Sequence, residues 1–255
     1  MIIIKKPEEI ELMREAGKIG ASVMEKLILS VKPGISTLKL NGYAEALIDK
    51  YHAYPAFKGF SPPGESKKYP AGLCVSINEE VVHGIPSSRR VKEGDIVSLD
   101  LGIFYKGYYT DLATTVGVGN IDPSDKRLIA TTRKALEEAI KFLKAGRRLG
   151  DLGFLIQRTI ESKGFSVIRD LVGHGVGKEL HEEPSVPNYG RRGEGIVLKE
   201  GMTIAVEPMA SSGKPEVKIK KDGWTIKTCD GSHSAHFEET ILIKKEGCEV
   251  LTKNY

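Results

Sequence analysis

Apolar residues recur at helical spacing through Ile10, Met13, Ala16, Gly17, Gly20, Val23, Met24, Leu27 and Ile28. This predicts an amphipathic helix from Pro7 to about residue 29. Pro7 suits a first helical position, and Glu8, Glu9 and Glu11 suit the positive end of the helix dipole. Lys32-Pro33-Gly34 ends that helix. A second, capped by Ser36 or Thr37, carries Leu40, Tyr43, Ala44, Leu47 and Ile48 to about Tyr51. Residues 55–72 read as loop. Asp122-Pro123-Ser124 opens a third helix running to Leu143, and a fourth covers about 149–163. Elsewhere the period drops toward two. Strands are predicted over 73–77, 81–86, 201–209, 215–218, 224–229, 234–244 and 248–252.

The strongest strand signal is VKEGDIVSLDLGIFYKGYYTDLATT at 91–115. Ile96, Val97, Leu99, Leu101 and Ile103 form one arm; Tyr108, Tyr109, Leu112 and 114–116 form the other. The reversal falls within Tyr105-Lys106-Gly107. With the turn at Tyr105-Lys106, Asp100 stands opposite Asp111, their Cβ atoms about 5 Å apart on one face. Two carboxylates that close in an apolar sheet repel, and one must be protonated unless a cation lies between them. A slip of one residue would put them on opposite faces.

The chain repeats itself. VKEGDIVSLD at 91–100 aligns with LKEGMTIAVE at 198–207, and each is preceded by a helix pair interrupted at KPG (32–34) or KAG (144–146). The expected architecture is one α+β domain over 1–255 with pseudo-twofold halves, about 1–120 and 121–255. Its helices would cover one face of a shared antiparallel sheet. The repeat makes Glu207 the counterpart of Asp100 and brings both to the axis between the halves.

Composition adds exclusions. Hydrophobic residues make up 40% of 255, enough for a substantial core, and the 28 glycines suit many turns. The net charge of +4 comes from scattered residues, so no specific nucleic-acid role is expected. Cys74, Cys229 and Cys248 form neither a disulfide framework nor a CxxC metal pair. No apolar run is long enough for a membrane span, and the N-terminus does not read as a signal peptide. The expected compartment is the cytoplasm, and the expected state a monomer.

Two further residues complete a candidate metal set. His174 lies in LVGHGVG, where glycines let the backbone come close to a site, and Glu238 lies in AHFEETILI, with His236, Thr240 and Leu242 on its face and Ala235, Phe237 and Glu239 on the other. Singly, each has a duller explanation: a turn or edge aspartate, a core histidine, a solvated glutamate. Together, Asp100, Asp111, Glu207, Glu238 and His174 supply four anionic ligands and one neutral one. Two divalent cations sharing a hydroxide would nearly neutralise them. The oxygen-rich set suits Mn, Fe, Co or Zn and the hydrolytic chemistry of dimetal sites. No role is assigned to His52, His233 or His236.

The strings INEEVVHGIP (77–86), LDLGIFYKGYYTDLATT (99–115), GHGVGKELHEEP (173–184), AVEPM (205–209), DGWTIKT (222–228) and FEETI (237–241) closely resemble the type I methionine aminopeptidases. The resemblance spans nearly the whole chain from the first helix on. It implies the pita-bread (creatinase/aminopeptidase-like) fold and removal of the initiator methionine from new polypeptides, favouring a small second residue. It places two metals on Asp100, Asp111, His174, Glu207 and Glu238, with Asp111 and Glu238 bridging. It puts His83 near the substrate amine and scissile amide, His181 on the scissile carbonyl, and Glu207 in the role of proton shuttle. The methionine pocket maps to Phe60, Tyr69, Cys74, Leu180 and Trp224. The implied partners are nascent-chain N-termini, with the ribosome as a further candidate.

Three positions depart from the pattern of familiar bacterial members. The loop at 59–70 is longer, Glu239 stands where histidine is usual, and Leu180 replaces a more common phenylalanine. Two other readings compete. One is a proline-specific peptidase of the same fold, though such enzymes usually carry an extra N-terminal domain. The other is a metal-free binding protein, though such relatives have lost ligands that are all kept here.

Overall fold

The computed structural model describes residues 2–62, 64 and 66–253. Pro63 and Glu65, in the long 59–70 loop, therefore lie outside the described residues, as do Met1, Asn254 and Tyr255. The described residues form helices α1 (Pro7–Ser30), α2 (Thr37–Asp49), α3 (Pro123–Phe142) and α4 (Leu149–Glu161). Up to residue 120 the strands are β1 (Tyr54–Pro55), β2 (Cys74–Ile77), β3 (Glu80–Val82), β4 (Ile96–Tyr105) and β5 (Tyr108–Gly117). Beyond it come β6 (Ser166–Val167), β7 (Val172–Gly175), β8 (Glu182–Pro187), β9 (Thr203–Val206) and β10 (Met209–Ser211). The last are β11 (Val217–Ile219), β12 (Ile226–Thr228), β13 (Ser234–His236), β14 (Glu238–Ile243) and β15 (Cys248–Val250).

Local signals explain the helix starts. The Glu9 carboxylate accepts the Lys6 N–H at 2.7 Å, Ser36 accepts the Lys39 N–H at 3.2 Å, and Asp122 accepts the Ser124 N–H at 2.7 Å. The helices pack on one face of a nine-stranded sheet with order β1-β4-β5-β14-β9-β7-β8, in which β2 also pairs with β4 and β15 with β14. All of its pairings are antiparallel. Leu99, Leu101, Ile103 and Leu112 point into the core under α1 and α2, which contribute Val23, Leu27, Leu40 and Ile48. A second core, built on Leu128, Leu136, Leu152 and Ile156, packs α3 and α4 on Ile204, Val206 and Ile241. The opposite sheet face is left for the site.

Two expectations need correction. The β4–β5 turn is Lys106-Gly107, with Tyr105 opposite Tyr108, so Asp100 faces Ala113 and Asp111 faces Gly102. Both turn residues have positive φ, 47° and 90°. A hairpin of this type accepts glycine at the second position, whereas a turn at Tyr105-Lys106 would force a tyrosine into that region. The two aspartates are therefore diagonal neighbours instead of an opposed pair. Moving a two-residue turn by one position shifts the register by two, so both stay on one face. The second correction concerns 234–244, which is two strands, and 201–209, where β9 ends at Val206 and β10 begins at Met209 in a different sheet. β13 pairs with β10 in a small sheet, while β14 lies in the large sheet between β5 and β9, with Phe237 at the crossing.

Candidate metal centre and substrate pocket

Asp100 on β4, Asp111 on β5, Glu238 at the start of β14, Glu207 just after β9 and His174 on β7 all line one cavity of about 260 Å³. Alternation puts them there. Leu99 and Leu101 on either side of Asp100, and Leu112 beside Asp111, pack under the helices, so both carboxyls project from the other face. At the β5–β14 seam, where only Glu238–Ala113 and Glu239–Leu112 pair, Thr240 secures the junction. Its hydroxyl accepts the Asp111 N–H at 2.8 Å and donates to the Asp111 carbonyl at 2.9 Å. Asn188 fixes the Glu207 backbone by donating to its carbonyl at 2.9 Å. The glycines beside His174 serve strand packing. A Cβ on Gly173 would meet the Ala205 carbonyl oxygen at 2.3 Å, and one on Gly175 would meet that of Glu183 at 2.3 Å.

Ligand atoms of Asp111, His174 and Glu238 lie within 4.8 Å of one another, and so do those of Glu207, His236 and Glu238. Asp100 sits beside this pair of groups and interacts directly with the Asp111 carboxyl. Nδ1 of His174 lies 2.9 Å from the Gly175 carbonyl oxygen, which fixes that nitrogen as the donor and leaves Nε2 a lone pair 3.7 Å from Glu207. Burial pushes the Asp100, Asp111, Glu207 and Glu238 carboxyls up; neighbouring acids add to the shift at Asp111 and Glu238. Burial also pulls His174 down to about 3. The cavity thus disfavours its own anions and its own imidazolium alike. Asp100 Oδ1, Glu238 Oε1 and both ring nitrogens of His236 are buried with no hydrogen-bond partner. Oxygen and imidazole donors, converging and unpaired, fit divalent cations well.

The other end of the cavity is apolar. Phe60, Tyr69, Cys74, Leu180 and Trp224, all chosen from the sequence, cluster there with Phe57, which was not; Val82, Leu171 and Met209, also missed, line the cavity from a separate apolar cluster. Tyr69 meets Trp224 edge-on at 5.3 Å and Phe57 at 6.5 Å, while its hydroxyl donates to the Gly84 carbonyl at 2.9 Å. His83 and His181 stand between the apolar end and the carboxylates. The His181 ring lies 4.3 Å from that of His174 and 5.0 Å from that of Phe60. His83 follows β3 with φ of 57°, a left-handed conformation that strains a residue with a Cβ and recurs at functional sites. Burial lowers it to about 4, so it is a neutral imidazole at pH 7.

The sequence pattern of metallopeptidase family M24 matches residues 11–245, nearly the whole chain. The chain belongs to metallopeptidase family M24. Membership makes it a metal-dependent peptidase, a hydrolase. Within M24 it is 46% identical over 253 residues to methionine aminopeptidase 1 of Bacillus subtilis (strain 168), covering 99% of this chain and 100% of that one. It is 42% identical over 253 residues to the methionine aminopeptidase of Escherichia coli (strain K12), covering 98% and 94%. Among solved structures, methionine aminopeptidase from Thermotoga maritima superposes with a TM-score of 0.96 at 50% identity over 100% of both chains. Xaa-Pro dipeptidase from Bacillus anthracis gives 0.76 at 25% identity, over 99% of this chain and 62% of that one. The pita-bread fold is therefore that of this M24 chain. Among the described residues no helix is long and apolar enough to cross a membrane.

One residue of this cavity escaped the sequence reading. His236 is buried, with Nε2 3.6 Å from Glu207 and 3.8 Å from Glu238, and Thr115 accepts its backbone N–H at 2.8 Å. The sequence signal, alternation that puts His236 on the face of Glu238, assumes one unbroken strand, whereas the chain changes sheets at Phe237. Glu239, one of the three departures, turns away from the carboxylates. It bonds to the Thr252 hydroxyl, is raised to about 7 by burial, and is a minor contributor to the upward shift of Glu238.

Proposed function

We propose that this M24 peptidase is a methionine aminopeptidase that removes the N-terminal methionine of new polypeptides and favours a small second residue. One observation carries the reading: an apolar pocket and the carboxylate and histidine cluster share one cavity. Whole-chain identity to methionine aminopeptidases supports it.

Asp100, Asp111, His174, Glu207 and Glu238 would hold two divalent cations, drawn from Mn, Fe, Co or Zn. Bound there, such cations make water nucleophilic at neutral pH and polarise a peptide carbonyl. The protein supplies the rest. Phe60, Tyr69, Cys74, Leu180 and Trp224 hold the methionine side chain, through apolar burial and sulfur–aromatic contacts. His83 contacts the amine and scissile amide. His181 donates to the carbonyl oxygen as it gains charge. Glu207 takes a proton from the attacking water and returns it to the leaving amine. Two similar halves, about 1–120 and 121–255, are supported by the sheet order, in which β5 and β14 form the central pair flanked by β4 and β9. The substrate is met where chains emerge, which makes the ribosome a candidate partner, tested by cosedimentation.

The test is titration of the apo-protein with Mn, Fe, Co and Zn while following methionine release from Met-Gly-Met, with an Ala-Pro peptide alongside. Metal-dependent release from the first peptide alone is expected. Cleavage of the Ala-Pro peptide in its place would support a proline-specific enzyme, and no metal binding would support a binding protein.

A further inference from the structure

We propose that Lys5, in the segment ahead of α1, is a positioning residue for His181 and Leu180, acting through Glu182. The inference rests on the proposed substrate-facing roles of those two residues. They stand on the turn between β7 and β8, whose strands lose regular register between Gly173 and Gly175. β9 holds the turn's first residue, the Val176 N–H donating to the Thr203 carbonyl at 3.2 Å and its carbonyl accepting the Thr203 hydroxyl at 2.5 Å, but residues 178–181 lie in no strand pairing. Glu182 closes it: Oε1 accepts the Lys178 N–H at 2.7 Å and the Glu179 N–H at 3.2 Å. Oε2 takes the Lys5 ammonium. The Lys5 and Glu182 side chains are only 1% and 3% exposed. A carboxylate so deeply buried needs a partner charge, and removing that partner is strongly unfavourable.

Lys5 is itself anchored, its N–H donating to the Gly201 carbonyl at 2.9 Å. Its stem fills the space under Gly177, where a Cβ would lie 2.2 Å from Cε. On the other side the Tyr109 N–H donates to the Gly177 carbonyl at 2.7 Å, two residues before Asp111. The turn is thus gripped between Lys5 and β5, and its crown sets His181 against His174 and Phe60. Lys5 touches no substrate in this arrangement; it keeps the charge of Glu182 tolerable so that the turn stays closed.

The test compares wild type, Lys5→Met and the double variant Lys5→Met/Glu182→Gln as full chains loaded with Mn. The glutamine oxygen can still accept both turn N–H groups without a buried charge. Amide hydrogen exchange is read by segment, together with Mn content and the kinetics of methionine release from Met-Gly-Met. In Lys5→Met, exchange over 177–182 should rise while β4 and β5 stay protected and Mn content holds. Its kcat/KM should fall on the order of 100-fold, mainly in kcat, as for a catalytic group displaced by about 1 Å. The double variant should recover most of both losses. Unchanged exchange at 177–182, loosening spread equally over β4 and β5, local loosening without loss of kcat, or no recovery in the double variant would each overturn the proposal. If wild type releases no methionine, the functional reading fails, and the exchange measurements alone decide whether Lys5 holds the turn.

Discussion

Thr240→Val probes the seam that carries the metal centre. Thr240 is fully buried, and its single hydroxyl serves both backbone groups of Asp111 across the β5–β14 junction. Valine keeps the shape and removes both bonds. A buried N–H and a buried carbonyl lose their partners, at about 1–3 kcal/mol each, so the expected loss is about 2–6 kcal/mol. For a chain of this size each kcal/mol lowers Tm by about 2–4 °C, giving a drop of roughly 4–24 °C. The same bonds orient Asp111, so metal affinity should weaken about 10–100-fold, as for other residues that support a ligand. Calorimetric melts of the apo-protein give the first number, and titration with Mn gives the second. Thr240→Ser, which keeps the hydroxyl, should retain metal affinity. A Thr240→Val protein melting within about 1 °C of wild type, with unchanged Mn affinity, would refute the reasoning.

Other expectations follow from the same geometry. Asp111→Asn should abolish methionine release in a metal-replete assay; full activity would remove Asp111 from the ligand set. Trp224 is the lone tryptophan and lines the pocket, so free methionine should change its fluorescence, while Trp224→Phe should raise KM more than it lowers kcat. Cys229 is exposed and should react at once with a thiol reagent, whereas Cys74, buried and with its thiol pushed up by that burial, should react only on unfolding. Glu249 is held down to about 2, chiefly by Arg14, with Lys244 adding to the effect. A depressed acid stabilises the fold fully above its unfolded value of about 4.5, and that contribution fades as pH falls toward 2. The gap in urea midpoint between wild type and Glu249→Gln should therefore be constant near neutrality and close over that acid range.

The helices were legible because their periodicity and caps are local: Ser36 and Asp122 do what their sequence context suggests. The face shared by Asp100 and Asp111 was legible too, since a two-residue turn keeps it whichever neighbouring pair of residues turns. The register was not, because Tyr105 is a strand former and the demand for positive φ chose Lys106-Gly107. The short strands β7 and β8 gave little signal: Gly173 and Gly175 on β7 sit where a neighbouring carbonyl leaves no room for a side chain, and β8 carries Pro184 and Pro187 among glutamates in place of alternating apolar residues.

Sequence by itself put Asp100 and Asp111 on one face and offered a candidate set of cation ligands, because residue type and alternation fix chemistry and face; the apolar pocket residues came from resemblance to a family, not from local pattern. Tertiary structure alone decided that His236 joins Glu207 and Glu238, that Glu239 turns to Thr252, and that Lys5 reaches Glu182. Those outcomes depend on where β13 leaves β14 and where the N-terminal segment crosses the β7–β8 turn. Such long-range placements are set by packing of the whole sheet, and no local pattern encodes them.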